Sequence, residues 1–152
     1  MRLIGLCSVA LFLTLPMISG MAQASGAPAR VTEVEKAIAA VRSGKTVDAR
    51  TNAAEHLASL TKKVSAKEAT EKLVIDVMSL LDSSDDSVRY WVARALGNLG
   101  PAAKAAIPKL EEMLPKADCI NGAITSASGI RYALIQMGVK PPPPQKCPKI
   151  AG

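Results

Sequence analysis

Leu73, Val77, Leu80 and Leu81 recur at three- and four-residue spacing, and Val88, Val92, Ala95, Leu96 and Leu99 do so again directly afterwards. That period gathers each set on one stripe of an α-helix and leaves polar residues on the opposite face. Punctuation between the stripes marks starts and stops. Thr32 with Glu35, and Ser65 with Glu68, have the spacing of a capping box, in which two side chains satisfy the first orphan amides of a helix. Gly44 closes the first helix, Asp82 to Asp86 make an acidic turn whose carboxylates favour the next helix N-terminus, and Gly100-Pro101 stops that helix. These signals predict helices over 32–43, 47–63, 66–81, 86–99, 104–114 and 124–137, an all-α chain of three hairpins. After Gly138, Pro141 to Pro144 cannot continue a helix and should run as extended polyproline.

The pattern also repeats. Residues 49–60 lie over 88–99 at an offset of 39, with Arg50/Arg89, Ala54/Ala93, Leu57/Leu96 and Leu60/Leu99 coinciding. Residues 130–138 lie over 92–100 at an offset of 38, with Ala133/Ala95, Leu134/Leu96 and Gly138/Gly100 in agreement. The middle copy is the richest, running from Leu80-Leu81-Asp82-Ser83-Ser84-Asp85-Asp86-Ser87-Val88-Arg89 through Ala93-Arg94-Ala95-Leu96-Gly97-Asn98-Leu99-Gly100-Pro101 to Ala105-Ala106-Ile107-Pro108-Lys109-Leu110. These residues resemble a HEAT-repeat protein of the short-repeat type also found in bilin lyase-like sequences. The resemblance is densest over residues 73–114. It implies a short right-handed α-solenoid of about three hairpins over residues 25–138, because one hairpin cannot bury its own apolar stripe and stacking makes a continuous core. It also implies that Asp85 in the intra-repeat turn pairs with Arg89 to lock the hairpin, a role that Arg50 can repeat.

Residues 1–24 differ from everything that follows. One basic residue, Arg2, precedes an apolar run from Leu3 to Ile18, and Ala22-Gln23-Ala24 supplies a small-residue cleavage site. We read this as a signal peptide cleaved after Ala24, too short and too broken by Pro16, Ser19 and Gly20 to anchor in a bilayer. The expected location is therefore the periplasm or the medium. Removal of the leader takes Arg2, Cys7 and Phe12, lowers the net charge from +6 to +5, and leaves Cys119 and Cys147. In an oxidising compartment an isolated pair is most simply one disulfide. It would tether the proline-rich tail, residues 139–152, to the loop before the last helix as a lid on the end of the solenoid, since terminal repeats need a cap.

Candidate chemistry is sparse. His56, the single histidine, aligns with core-side Ala95, so a packed helix position is expected of it. Zinc needs three or four ligands, and the acidic turn lacks EF-hand spacing, so neither a metal nor a cofactor is expected. No nucleophile–base pair, phosphate loop or glycosidase-like carboxylate pair stands out, and catalytic residues are not expected. The lysines are scattered and no Arg-aromatic reading motif accompanies them, which argues against specific nucleic-acid binding, while the basic charge suits an anionic envelope surface. Tyr90 and Arg94 fall off the apolar stripe of one helix, and Arg131 and Tyr132 lie near corresponding positions of the next. Tyrosine and arginine are enriched in binding hot spots, so these four are the expected contacts for a protein partner of a monomeric, non-enzymatic module. Trp91, three residues after Val88, should pack in the core or at its rim.

Overall fold

The computed structural model describes residues 29–120, 125–145 and 147; the expected leader over 1–24 and the cleavage point after Ala24 lie outside the described residues. Six α-helices form among them: α1 (Ala29–Ser43), α2 (Val47–Thr61), α3 (Glu71–Met78), α4 (Asp86–Leu99), α5 (Ile107–Ala117) and α6 (Ser126–Gln136). Short 3₁₀ turns extend α3 over Ser79–Asp82 and join α4 to α5 over Gly100–Ala106.

Successive helices pair as hairpins. α2, α4 and α6 pack tightly side by side, with α4 between the other two, whereas α1 and α3 touch sparsely. A two-layer stack packed closely on one side and loosely on the other curves toward the close side. The inner layer is therefore α2, α4 and α6. Between the layers the apolar stripes meet in one core that includes Val34, Leu57, Val77, Leu96, Leu110 and Leu134. The aligned residues Ala54, Ala93 and Leu57, Leu96 are all fully buried, so the repeat read along the chain is a repeat of packing positions.

Three helix starts differ from the sequence expectation, each for a local reason. α1 already runs through Thr32, so Thr32 and Glu35 do not cap it. The Ser65 hydroxyl and backbone N–H both donate to Glu68, at 2.7 and 2.8 Å, which holds the Glu68 carboxyl below its ordinary range. That single turn is then broken by the extended backbone of Thr70, whose side chain accepts from Leu73 N and caps α3 instead. The residues expected to open the fifth helix at 104 form the 3₁₀ stretch, because Pro108 lacks the N–H that would reach back to Lys104 in an α-helix. Gly100, at φ +57°, turns the chain out of α4 in a conformation that an L side chain disfavours.

The tail returns along α6. Cys119 and Cys147 are disulfide-bonded, Gln145 N donates to Asp118 Oδ2 at 3.1 Å, and Arg131 donates to the Pro142 carbonyl. Val139 packs against the core. Pro141 to Pro144 carry no helix, as expected. Residues 148–152 lie outside the described residues.

Candidate protein-binding face

Charged side chains between the hairpins are committed to joining them. Arg50 donates from Nε and Nη2 to Asp85 Oδ2 at 2.9 and 2.6 Å, and from Nη1 to the Gly44 carbonyl at 3.0 Å. Arg89 donates to the carbonyls of Ser83 and Ser84 at 2.7 and 2.9 Å, and to Asp86 Oδ1 at 2.9 Å. Asp86 also accepts from Ser126 N at 3.0 Å and from the Ser126 hydroxyl. The expected ion pair between Asp85 and Arg89 is thus replaced by two others. Asp85 caps α4 with extended backbone and meets the preceding hairpin, while Asp86, one residue inside the helix, stands three residues before Arg89 on the same face. Asp85 and Arg89 both lie at the turn and bond to different partners.

A different set of side chains is left on the inner layer. The guanidinium carbon of Arg94 lies 4.2 Å from the centre of the Tyr132 ring and 5.9 Å from that of Tyr90. Tyr90 meets Trp91 edge to face at 4.9 Å. Tyr132 donates from its hydroxyl to Asn98 Oδ1 at 2.9 Å, and Asn98 donates to the Ala58 carbonyl at 2.7 Å, so one chain of hydrogen bonds crosses α6, α4 and α2. Glycines make room for the rings. A Cβ on Gly97 would lie 2.7 Å from Tyr132, and one on Gly129 would lie 2.6 Å from the Tyr90 carbonyl oxygen.

The structure therefore brings Tyr90, Arg94 and Tyr132 together, with Trp91, partly buried at the rim, as a fourth member. Arg131 does not join them. One residue from Tyr132, it is turned about 100° around the helix and donates to both oxygens of Asp118 at 2.8 Å, an acid whose side chain is only 5% exposed. Asn98 and Gly129 are not distinguished by the sequence pattern, since their role depends on which helix lies opposite. His56 is exposed, contrary to the expectation from its alignment with buried Ala95. The face that α4 turns to α2 has its counterpart in α2 at Asn52, His56 and Ser59, where no earlier helix pair covers it among the described residues, and all three are exposed.

A cleft of about 800 Å³ lies elsewhere, between the end of α3, the acidic turn and α5. Leu81, Met78, Met113 and Ala117 line it, and Lys109 bridges to Asp82 at 2.7 Å. It shares no residue with the aromatic patch. Among the described residues no group of three or more His, Cys, Asp or Glu is placed to hold a metal ion.

Comparison with known proteins bears on the architecture. The model of the HEAT repeats family matches residues 34–127, from α1 into the first turn of α6. No curated protein and no solved structure matches the chain. HEAT repeats generally mediate protein–protein interaction and are typically non-catalytic scaffolds. With most of the stacked hairpins inside the matched span, the chain belongs to the HEAT-repeat family.

Proposed function

We propose that the protein is an exported, non-enzymatic binding module of inhibitor, immunity or adaptor type, which holds a protein partner on the inner layer at Tyr90, Arg94 and Tyr132. One observation carries this reading. The three aromatic residues outside the leader, in a chain that is only 3% aromatic, converge on one half-buried patch around an arginine. A core built from aliphatic side chains has no need of them there, and Tyr, Trp and Arg are the side chains that carry interface energy. Export is supported by the leader-like residues 1–24 and by the single disulfide, a bond that persists in oxidising compartments.

The test is affinity capture after in-cell crosslinking, using the tagged protein from an envelope fraction at moderate salt. One stoichiometric protein is expected, lost when Tyr90→Ala and Arg94→Ala are combined while the helical circular dichroism is unchanged. Undiminished capture by that variant would remove this face from consideration. Recovery of heterogeneous anionic material that washes off steeply with salt would favour the reading of a basic polyanion-binding protein. The captured chain should begin at Ser25, and a chain still carrying the apolar leader would refute cleavage after Ala24.

A further inference from the structure

Resting on the reading of the inner layer as a docking face, we propose that Arg94 receives the side-chain carboxylate of an aspartate or glutamate on the protein partner. The charges of α4 and α6 carry this. Besides Arg94, those two helices hold only Asp86, Arg89 and Arg131. Asp86 and Arg89 pair with each other at 2.9 Å, and Arg131 pairs with Asp118 at 2.8 Å. Arg94 makes no hydrogen bond or ion pair among the described residues and lies against the rings of Tyr132 and Tyr90. The repeat offset of 39 puts exposed Glu55 of α2 at the level of Arg94, yet no ion pair joins the two. Arg94 is thus the one charge on α4 and α6 without a counter-charge among the described residues.

The chemistry of the patch selects the group that meets it. Stacking on a ring satisfies the face of a guanidinium and leaves its N–H edge unused. That edge is open: among the described residues the only buried side-chain polar atom without a partner is Thr51 Oγ1, so the Arg94 nitrogens reach the surface. The neighbouring polar groups are donors as well. The Tyr90 hydroxyl and the Trp91 indole N–H also reach the surface without a partner among the described residues, whereas Asn98 Oδ1 is already taken by the Tyr132 hydroxyl. A cluster of unspent donors around a cation matches an ionised carboxylate, which only accepts and binds the planar guanidinium edge through two parallel bonds. A phosphate carries nearly two charges and calls for a second free cation, which neither helix supplies. A lysine or arginine of the partner would meet Arg94 as a like charge.

The probe is a phage-displayed library of random peptides, panned at about 0.15 M salt on the folded protein with its disulfide intact and, in parallel, on Arg94→Gln. Enrichment of Asp and Glu is expected on the unaltered protein and not on the variant. A selected peptide remade with its acid replaced by the matching amide should bind about tenfold more weakly, the size of one charge-assisted bond. Arg94→Gln should lose the same factor and no longer distinguish the two peptides. Tyr90→Phe keeps the ring, removes the second donor and should weaken the acidic peptide about fivefold. Equal enrichment of acids on both proteins would trace it to the net charge of +5 that remains without the leader and overturn the proposal. Selected peptides without acids, or no selection at all, would overturn it too. Acid-free peptides whose binding is lost in Tyr90→Ala would leave the docking face standing and remove only the carboxylate. Peptides indifferent to Tyr90, Arg94 and Tyr132 alike would remove the face itself.

Discussion

At the scale of the residue, two glycines set how closely α4 and α6 approach. The obstacle to a side chain at Gly129 is backbone, the Tyr90 carbonyl, which cannot move without moving α4. Gly129→Ala should therefore lower stability by about 1–3 kcal/mol through overpacking, even though alanine favours a helix by about 1 kcal/mol over glycine. A drop in the urea midpoint at unchanged m-value checks this, and an unchanged midpoint would show that the helices can part without cost. At Gly97 the obstacle is the Tyr132 ring, a side chain that can swing aside. Tyr90, Arg94 and Tyr132 were legible in the sequence because they interrupt an apolar period. The fate of Arg131 was not, since its partners Asp118 and Pro142 lie 13 and 11 residues away on segments without periodic pattern.

Helix joints are the next scale. Asp86 accepts from Arg89 and from the Ser126 amide and hydroxyl, so it links the second hairpin to the start of the third. Its side chain is 21% exposed, against 72% for Asp82, whose bond to Lys109 crosses the open cleft. Removing the Asp86 carboxylate takes the counter-ion from Arg89 and leaves the Ser126 backbone N–H without its acceptor, and Asp86→Ala should cost about 2–3 kcal/mol. Lys109→Ala should cost no more than about 1 kcal/mol, as for exposed ion pairs. Equal losses in urea unfolding would contradict the assignment of Asp86 as the joint. The stripes and Gly100-Pro101 located the second hairpin from sequence. Ser65 and Glu68 misled because their mutual hydrogen bonds close a single turn equally well with or without a helix beyond it. Only the competing cap at Thr70, nearer to the apolar stripe that starts at Leu73, decides where α3 begins.

For the whole molecule, the two ends of the stack are closed in different ways. At the α2 end the residues that would face another repeat are polar Asn52, His56 and Ser59, which water can cover. At the α6 end the chain itself returns, and the disulfide joins cysteines 28 positions apart, closing a loop that contains α6. Because α6 packs along α4, and α4 along α2, an α6 held in place protects the buried Ala93, Ile130 and Ala133 at the centre of the inner layer. Loss of the cross-link frees the unfolded chain by about 3.5 kcal/mol on the chain-entropy account. At a few degrees per kcal/mol for a domain of this size, the reduced protein should melt roughly 10 °C lower. Cys119→Ser and Cys147→Ser should each reproduce that shift, and thiol titration of the unreduced protein should find neither cysteine free. A melting point unaffected by reduction would mean that Arg131, Asp118 and Val139 hold the tail unaided. Two separate transitions after reduction would mean that α6 is released on its own, while one earlier transition is the behaviour of a short stack whose last hairpin is needed by all the others.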